Sequence, residues 1–217
     1  MKPFHISLLA ALLMLAACQS TPNNPSRAAG NGSLRSGDIV FQDSSPVSGQ
    51  AEAIKTLTRS QWSHCGIYFE RPGGPVIIDG NGQQGAMAWP TWRARGDGGR
   101  FAAYRLRNGL SEEQVTRLRA AADGYDGRPY DFKFAWGPAE IYCSELIWKA
   151  YRDALQKEVG RLQRLRDFDL HSPLALPLIQ RRRGWGTVEN AVAHGDTLVI
   201  SPQAIAESEL LQRVSAN

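Results

Sequence analysis

Ser63-His64-Cys65-Gly66-Ile67-Tyr68-Phe69-Glu70-Arg71-Pro72-Gly73-Gly74-Pro75-Val76-Ile77-Ile78-Asp79 reads as two strands joined by a turn. Apolar, largely β-branched and aromatic residues fill both runs, and Arg71-Pro72-Gly73-Gly74 between them is turn chemistry. Strand alternation puts His64, Gly66, Tyr68 and Glu70 on one face and Cys65, Ile67 and Phe69 on the other. With Glu70 opposite Pro75, Gly66 falls opposite Asp79, and His64 becomes the diagonal neighbour of Asp79 on the same face. Such diagonals lie about 7 Å apart at the backbone, and Gly66 has no side chain to stand between them. Asp79 can therefore accept an imidazole N–H and hold the ring for proton transfer. Two other readings stay open: Asp79 as no more than the opening of the turn Asp79-Gly80-Asn81-Gly82, and Asn81 in its place if the register slips by two. Cys65 goes with the apolar set, away from His64. A thiol that meets His64 is then not expected to meet Cys65, which argues against a disulfide between Cys65 and Cys143.

On either side of the hairpin lie further elements. Asp38 to Gln42 reads as a strand before it, with a loop or short helix between, and Phe101 to Leu106 as a strand after it. Ser111 with Gln114 three residues on forms a capping box, Leu118 and Ala122 follow at helical spacing, and Gly124 is a stop. A second helix starts near Cys143. A late strand from Asp196 to Ser201 precedes a short terminal helix, and the Arg- and Leu-rich stretch from Lys157 to Trp185 takes no assignment. Mixed strands and helices, with neighbouring strands joined by a hairpin, predict an α+β fold with an antiparallel sheet.

The second helix carries the chemistry. In Tyr142-Cys143-Ser144-Glu145-Leu146-Ile147-Trp148-Lys149-Ala150-Tyr151, the residues Ile147, Ala150 and Tyr151 share a stripe that Cys143 heads. Trp136-Gly137-Pro138 upstream is loop chemistry, so Cys143 sits in the first turn. There the free N–H groups and the positive end of the helix dipole favour a thiolate over a thiol of ordinary pKa, about 8.5. The same N–H groups can hold the oxyanion of a tetrahedral intermediate. On this helix alone a buried structural cysteine fits equally well.

The chain has 217 residues, 42% of them hydrophobic, with a formal net charge of +4 at pH 7. That suffices for one globular domain and says little about partners. Residues 1–17 read as a secretory signal: Met1-Lys2 is a positive start, and the apolar run Ile6 to Ala17 is shorter than the roughly 20 residues of a spanning helix. Residues 18–33, rich in Ser, Pro, Asn and Gly, read as a flexible tether, and residues 34–217 as the domain. His171 and His194 lie in loop contexts. Arg161, Arg164, Arg166 and the run Arg181-Arg182-Arg183 read equally as a basic face or a patch for anionic lipid or wall polymer. Trp89 and Trp92 read equally as core or as the wall of a groove. No His/Cys ligand spacing suggests a metal site, and the chemistry needs neither a metal nor an organic cofactor.

Two resemblances extend this reading. Leu15-Ala16-Ala17-Cys18 resembles the lipobox of bacterial lipoproteins, which implies cleavage before Cys18 and its acylation. Gln19 after it implies delivery to the outer membrane, facing the periplasm. The segments Arg35 to Gln42, Ser63 to Tyr68, Pro129-Tyr130-Asp131 and Tyr142 to Leu146 resemble the YiiX/YaeF-like branch of the NlpC/P60 superfamily. That group has a circularly permuted papain-like fold in which the histidine precedes the cysteine, as here. The resemblance implies Cys143 as nucleophile, His64 as base and Asp79 as orienting acid, where relatives often carry Glu. It also suggests Tyr142 as a lining of the oxyanion site, and Tyr130 and Glu145 as pocket or packing positions. The expected activity is hydrolysis of an amide bond through a Cys143 thioester, on a small amide or peptide-like substrate, cell-wall derived or lipid. A lipid esterase or acyltransferase would share the site, and a non-catalytic binding lipoprotein is the alternative from another class. Nucleic acid is not an expected partner.

Overall fold

The computed structural model describes residues 34–43, 50–80, 85–132, 134–181 and 186–216. The signal segment, Cys18 and the tether, together with Asn81 and Arg182-Arg183, lie outside the described residues. Strand β1 (Asp38–Gln42) is followed by helix α1 (Gln50–Thr58), then by β2 (His64–Phe69), β3 (Val76–Ile78) and β4 (Met87–Ala88). Helix α2 (Trp89–Ala94), strand β5 (Ala102–Leu106) and helices α3 (Glu112–Asp123) and α4 (Cys143–Leu155) come next. Strand β6 (Gln163–Arg164), helices α5 (Leu176–Arg181) and α6 (Val188–Ala193), strand β7 (Leu198–Val199), helix α7 (Pro202–Ala206) and strand β8 (Leu211–Ala216) complete the chain. Six strands form one antiparallel sheet in the order β4-β3-β2-β1-β5-β8, and β6 pairs with β7 apart from it. Among the described residues no helix is long and apolar enough to cross a membrane.

Alternation along the strands divides two layers. Ile39 and Phe41, Cys65, Ile67 and Phe69, and Ile78 face the main core with Leu146, Ile147 and Tyr151 of α4. Val40, Tyr68 and Ile77 face the opposite side, where Trp92 of α2 and Met87 cover them. Helix α4 is buried on every side through Tyr151, because the sheet lies on one flank and α3 on the other. The apolar stripe read from its sequence is therefore only part of its buried surface.

The register of the β2–β3 hairpin is the one its sequence predicts. Ile67 pairs with Ile78 and Phe69 with Val76, so Gly66 lies opposite Asp79. The glycine is required there: a Cβ on it would stand 2.4 Å from Ile77 Cγ2 and 2.9 Å from Asp79 Cβ. Helix α3 begins on the predicted capping box, with the Ser111 hydroxyl accepting from Gln114 N and the Gln114 side chain accepting from Ser111 N, and its C-cap is Gly124. Across the sheet, Arg105 on β5 grips buried Asp38 on β1 through Nε and Nη2, each at 2.7 Å, so the one charge is not left alone in the interior.

Two sequence expectations change. The chain does not close on a terminal helix: α7 is followed by β8, whose Arg213 pairs with Tyr104 of β5. Leu-Gln-Arg-Val is too short and too polar an alternation to separate from loop by pattern alone. The expected late strand is reduced to Leu198–Val199, and it leaves the main sheet for β6. The stretch that resisted assignment holds β6, a 3₁₀ turn and α5, and its Leu165, Leu170, Ala175 and Ile179 form a small core with Ala191 of α6.

Candidate active site

At the start of α4 the chain turns from extended Tyr142 (φ −114°, ψ 166°) into helix at Cys143. Backbone N–H groups of a first turn have no acceptor within their own helix, so Cys143 sits among donors and at the positive end of the dipole. Ile200 clamps this turn from both sides. Its N–H is accepted by the Tyr142 hydroxyl at 3.0 Å, and its carbonyl accepts the Ser144 hydroxyl at 2.7 Å. From the sheet side, Asp79-Gly80 closes in. Gly80 adopts φ +59°, and a Cβ on it would lie 3.2 Å from the Tyr142 carbonyl carbon and 3.4 Å from Cys143 N. Only glycine combines that conformation with so close an approach.

His64 is the first residue of β2 and meets both partners. Its Nε2 lies 2.8 Å from Asp79 Oδ2. A carboxylate can only accept, so Nε2 carries a hydrogen, and Nδ1 is the ring nitrogen left to serve the neighbouring Cys143 thiol. Asp79, 1% exposed, receives a second hydrogen bond on the same oxygen, from Trp92 Nε1 at 2.9 Å. The indole and imidazole rings lie 6.1 Å apart.

The charges follow from these contacts. Burial by itself lowers the His64 pKa, but the neighbouring Cys143 charge and the hydrogen bonds to Asp79 and Cys143 outweigh it, raising it from 6.5 to about 10. Cys143 moves the other way, well below the ordinary thiol value. A hydrogen bond from the Cys65 thiol contributes most, burial opposes it, and the His64 charge then favours ionisation. Burial pushes the Cys65 thiol itself well up, so it stays protonated and can donate. The site is thus arranged as thiolate, imidazolium and carboxylate in series.

Cys65 is a correction. Alternation places it away from His64, and the expectation was that it would also miss Cys143. Both cysteines are free and buried in the same core, and the Cys65 thiol lies close enough to act on the Cys143 ionisation. The reason is geometric: α4 packs on the Cys65, Ile67 and Phe69 face. His64 is the first residue of its strand and bonds Asp79. The disulfide disfavoured from sequence is absent: both cysteines are free.

The remaining predicted positions separate. Tyr142 lines the space beside Cys143, but its hydroxyl is fixed on Ile200, and its ring packs edge-on against Phe134. Tyr130 lines the same pocket. Glu145 does not: fully buried, it lies 2.6 Å from Lys149 Nζ and accepts from Tyr142 N at 3.4 Å. Lys149 in turn donates to Gly137 O and lies over the Trp136 ring. Burial raises the Glu145 pKa to about 7 while Lys149 opposes the rise. Glu145 therefore caps the helix and ties down the loop before it. His171 and His194 are exposed and away from the site. Trp92 was read as core or groove wall, and its hydrogen bond to Asp79 was missed. A buried indole N–H needs an acceptor, which is the signal that could have pointed to it.

Comparisons with known proteins show the family to which the chain belongs. Residues 33–215 match a family model described as a permuted papain-like amidase enzyme, YaeF/YiiX, C92 family. The chain is 36% identical over 181 residues to the uncharacterized protein YiiX of Escherichia coli K12, covering 83% of this chain and 86% of that one. The crystal structure of YiiX from Escherichia coli O157:H7 superposes with a TM-score of 0.76 at 36% identity, over 84% of this chain and 97% of that one. That protein is described as a metalloprotein. Among the described residues of this chain, no group of three or more His, Cys, Asp or Glu side chains is placed to hold a metal ion.

The electrostatics predict the pH profile of alkylation. Iodoacetamide should label Cys143 at full rate at pH 7 and lose rate only as acid protonates the thiolate. In His64→Ala the profile should move up toward the ordinary thiol range of about 8.5, and labelling at pH 7 should fall at least about tenfold. Identical profiles in the two proteins, resolved by peptide mapping from Cys18 and Cys65, would contradict the coupling.

Proposed function

For a chain that belongs to the permuted papain-like amidases of the YaeF/YiiX type, we propose that Cys143, His64 and Asp79 perform the cysteine amidase reaction. One observation carries the reading: buried Cys143 heads a helix beside His64, whose charge favours its ionisation, and His64 Nε2 is held 2.8 Å from the buried carboxyl of Asp79.

The Cys143 thiolate attacks the amide carbonyl carbon, and the carbonyl π pair moves onto oxygen. First-turn N–H groups of α4 receive that oxyanion. As the intermediate collapses, the C–N bond breaks and the His64 imidazolium gives its Nδ1 proton to the departing amine. This leaves an acyl thioester on Cys143 and a neutral imidazole. Water then attacks the thioester, His64 takes its proton, and the thiolate departs to restore the ion pair with release of the acid. Throughout, Asp79 keeps Nε2 protonated and steadies the positive ring, and Trp92 holds Asp79. No step requires a cofactor.

We further propose that the enzyme works at a membrane surface, anchored through Cys18. Leu15-Ala16-Ala17-Cys18 supports this, followed by a polar tether long enough to let the domain reach its surroundings. Labelled palmitate should enter the wild-type chain in a bacterial host and be lost in Cys18→Ala; equal incorporation in both would remove the anchor.

Cys143→Ala should abolish hydrolysis of a chromogenic anilide. His64→Ala should lower kcat by about 10²–10⁴. Asp79→Asn removes a charge-assisted hydrogen bond and should lower kcat/KM by about 10- to 100-fold. Acid-quenched wild type should carry an acyl adduct on the Cys143 peptide. Turnover that survives Cys143→Ala would overturn the assignment.

A further inference from the structure

A second cleft, of about 570 Å³, lies apart from the catalytic pocket and shares no lining residue with it. That volume falls in the range of small-molecule sites. Most of its charged lining is already paired. Lys55 of α1 lies between Asp43 and Glu52, each at 2.6 Å, and Arg100 is paired with Asp97. Two cations remain. Arg59, just beyond the end of α1, and Arg213, on β8, both line the cleft and are exposed. Among the described residues, neither guanidinium has a hydrogen-bond or ion-pair partner. Each offers five N–H donors in a planar fork.

The fold alone does not account for this pair. Arg59 ends α1 in a left-handed turn with φ +50°, in which Ser60 N donates to Lys55 O at 2.8 Å and Arg59 N to Thr56 O at 3.2 Å. Glycine is the residue that this position favours. The attraction of a cation to a helix C-terminus accounts for a base near this end, but not for Arg213, which comes from another element. Like charges gathered from α1 and β8 into one hollow repel each other, and an anion between them reverses the sign of that energy. Trp62 and Phe101, each 8% exposed, add aromatic surface to the lining, which suits a ligand with an apolar part beside its charge. A single carboxylate fills one guanidinium fork. A phosphate monoester, nearly doubly charged at pH 7 and with three acceptor oxygens, engages two. We propose that the cleft is a binding site for a phosphomonoester, held by Arg59 and Arg213 with its organic part against Trp62 and Phe101. The site is separate from Cys143 and does not depend on the amidase reading.

The test is calorimetric titration of the full-length chain with phenyl phosphate at low ionic strength. One saturable site is expected, with benzoate, one charge short, at least about tenfold weaker. Arg213→Ala and Arg59→Gly should each weaken phenyl phosphate by about tenfold or more, as loss of a charge-assisted hydrogen bond does. Arg117→Ala, on the exposed face of α3, should leave binding unchanged. Arg59→Gly separates a ligand contact from a structural role: glycine suits φ +50°, so its Tm should hold or rise while binding falls. Iodoacetamide labelling of Cys143 should match the wild type in both cleft variants. Vesicles of phosphatidylcholine with and without phosphatidic acid distinguish two sources of the phosphate. Extra retention on phosphatidic acid that is lost in both variants assigns the site to a lipid headgroup; binding of phenyl phosphate without extra retention assigns it to a soluble compound. Phenyl phosphate that fails to saturate, binds equally to wild type and both variants, or binds no better than benzoate would overturn the proposal. So would a Tm that falls together with binding in Arg59→Gly.

Discussion

The first turn of α4 seats Cys143 near the start of β2, where mutual attraction and hydrogen bonds, working against burial, turn a thiol and an imidazole into an ion pair. Water would leave both groups mostly neutral near pH 8. Here neither charge could exist without the other, since an isolated ion in this interior would neutralise itself. Asp79 extends the series by one more charge, so the three groups together carry one net negative charge in a dry site. The dipole and the N–H groups at the head of α4 supply the compensating positive field. Much of the surrounding structure serves to keep that helix start in place. Ile200 holds both flanking residues, the Glu145–Lys149 pair ties the incoming loop, and Gly80 lets the β3 end lie directly against the turn.

The two sides of the sheet divide the work. The α4 side carries the sulfur, and the α2 side carries Trp92, the residue that holds Asp79. His64 joins them at the strand end, which a residue in the middle of β2 could not do.

How much of this could be read beforehand depended on how local each signal is. The β2–β3 hairpin was legible in full, register included, because a four-residue turn between alternating runs leaves one pairing that buries the apolar face. From it came the His64–Asp79 contact. The α3 capping box and the position of Cys143 at a helix start were equally local. What eluded the sequence depends on packing between distant segments. Cys65 was sorted to the correct face, yet the face on which α4 would lie is not written in β2. Trp92 meets Asp79 only because α2 folds over the sheet. Strand β8 and the walls of the pocket come from stretches with weak periodicity, whose structure is set by what they cover.

The most direct measurement is the ring ¹⁵N NMR spectrum of His64 as a function of pH, in the wild type and in Cys143→Ala. A His64 pKa raised to about 10 by the Cys143 charge means that its protonated form persists through pH 8 and is lost only as pH approaches that value. The wild-type ring should therefore carry hydrogen on both nitrogens at pH 8. In Cys143→Ala, with the thiolate gone and burial unopposed by it, the ring should be neutral at the same pH. A His64 ring that is neutral at pH 8 in both proteins would contradict the ion pair on which this account rests.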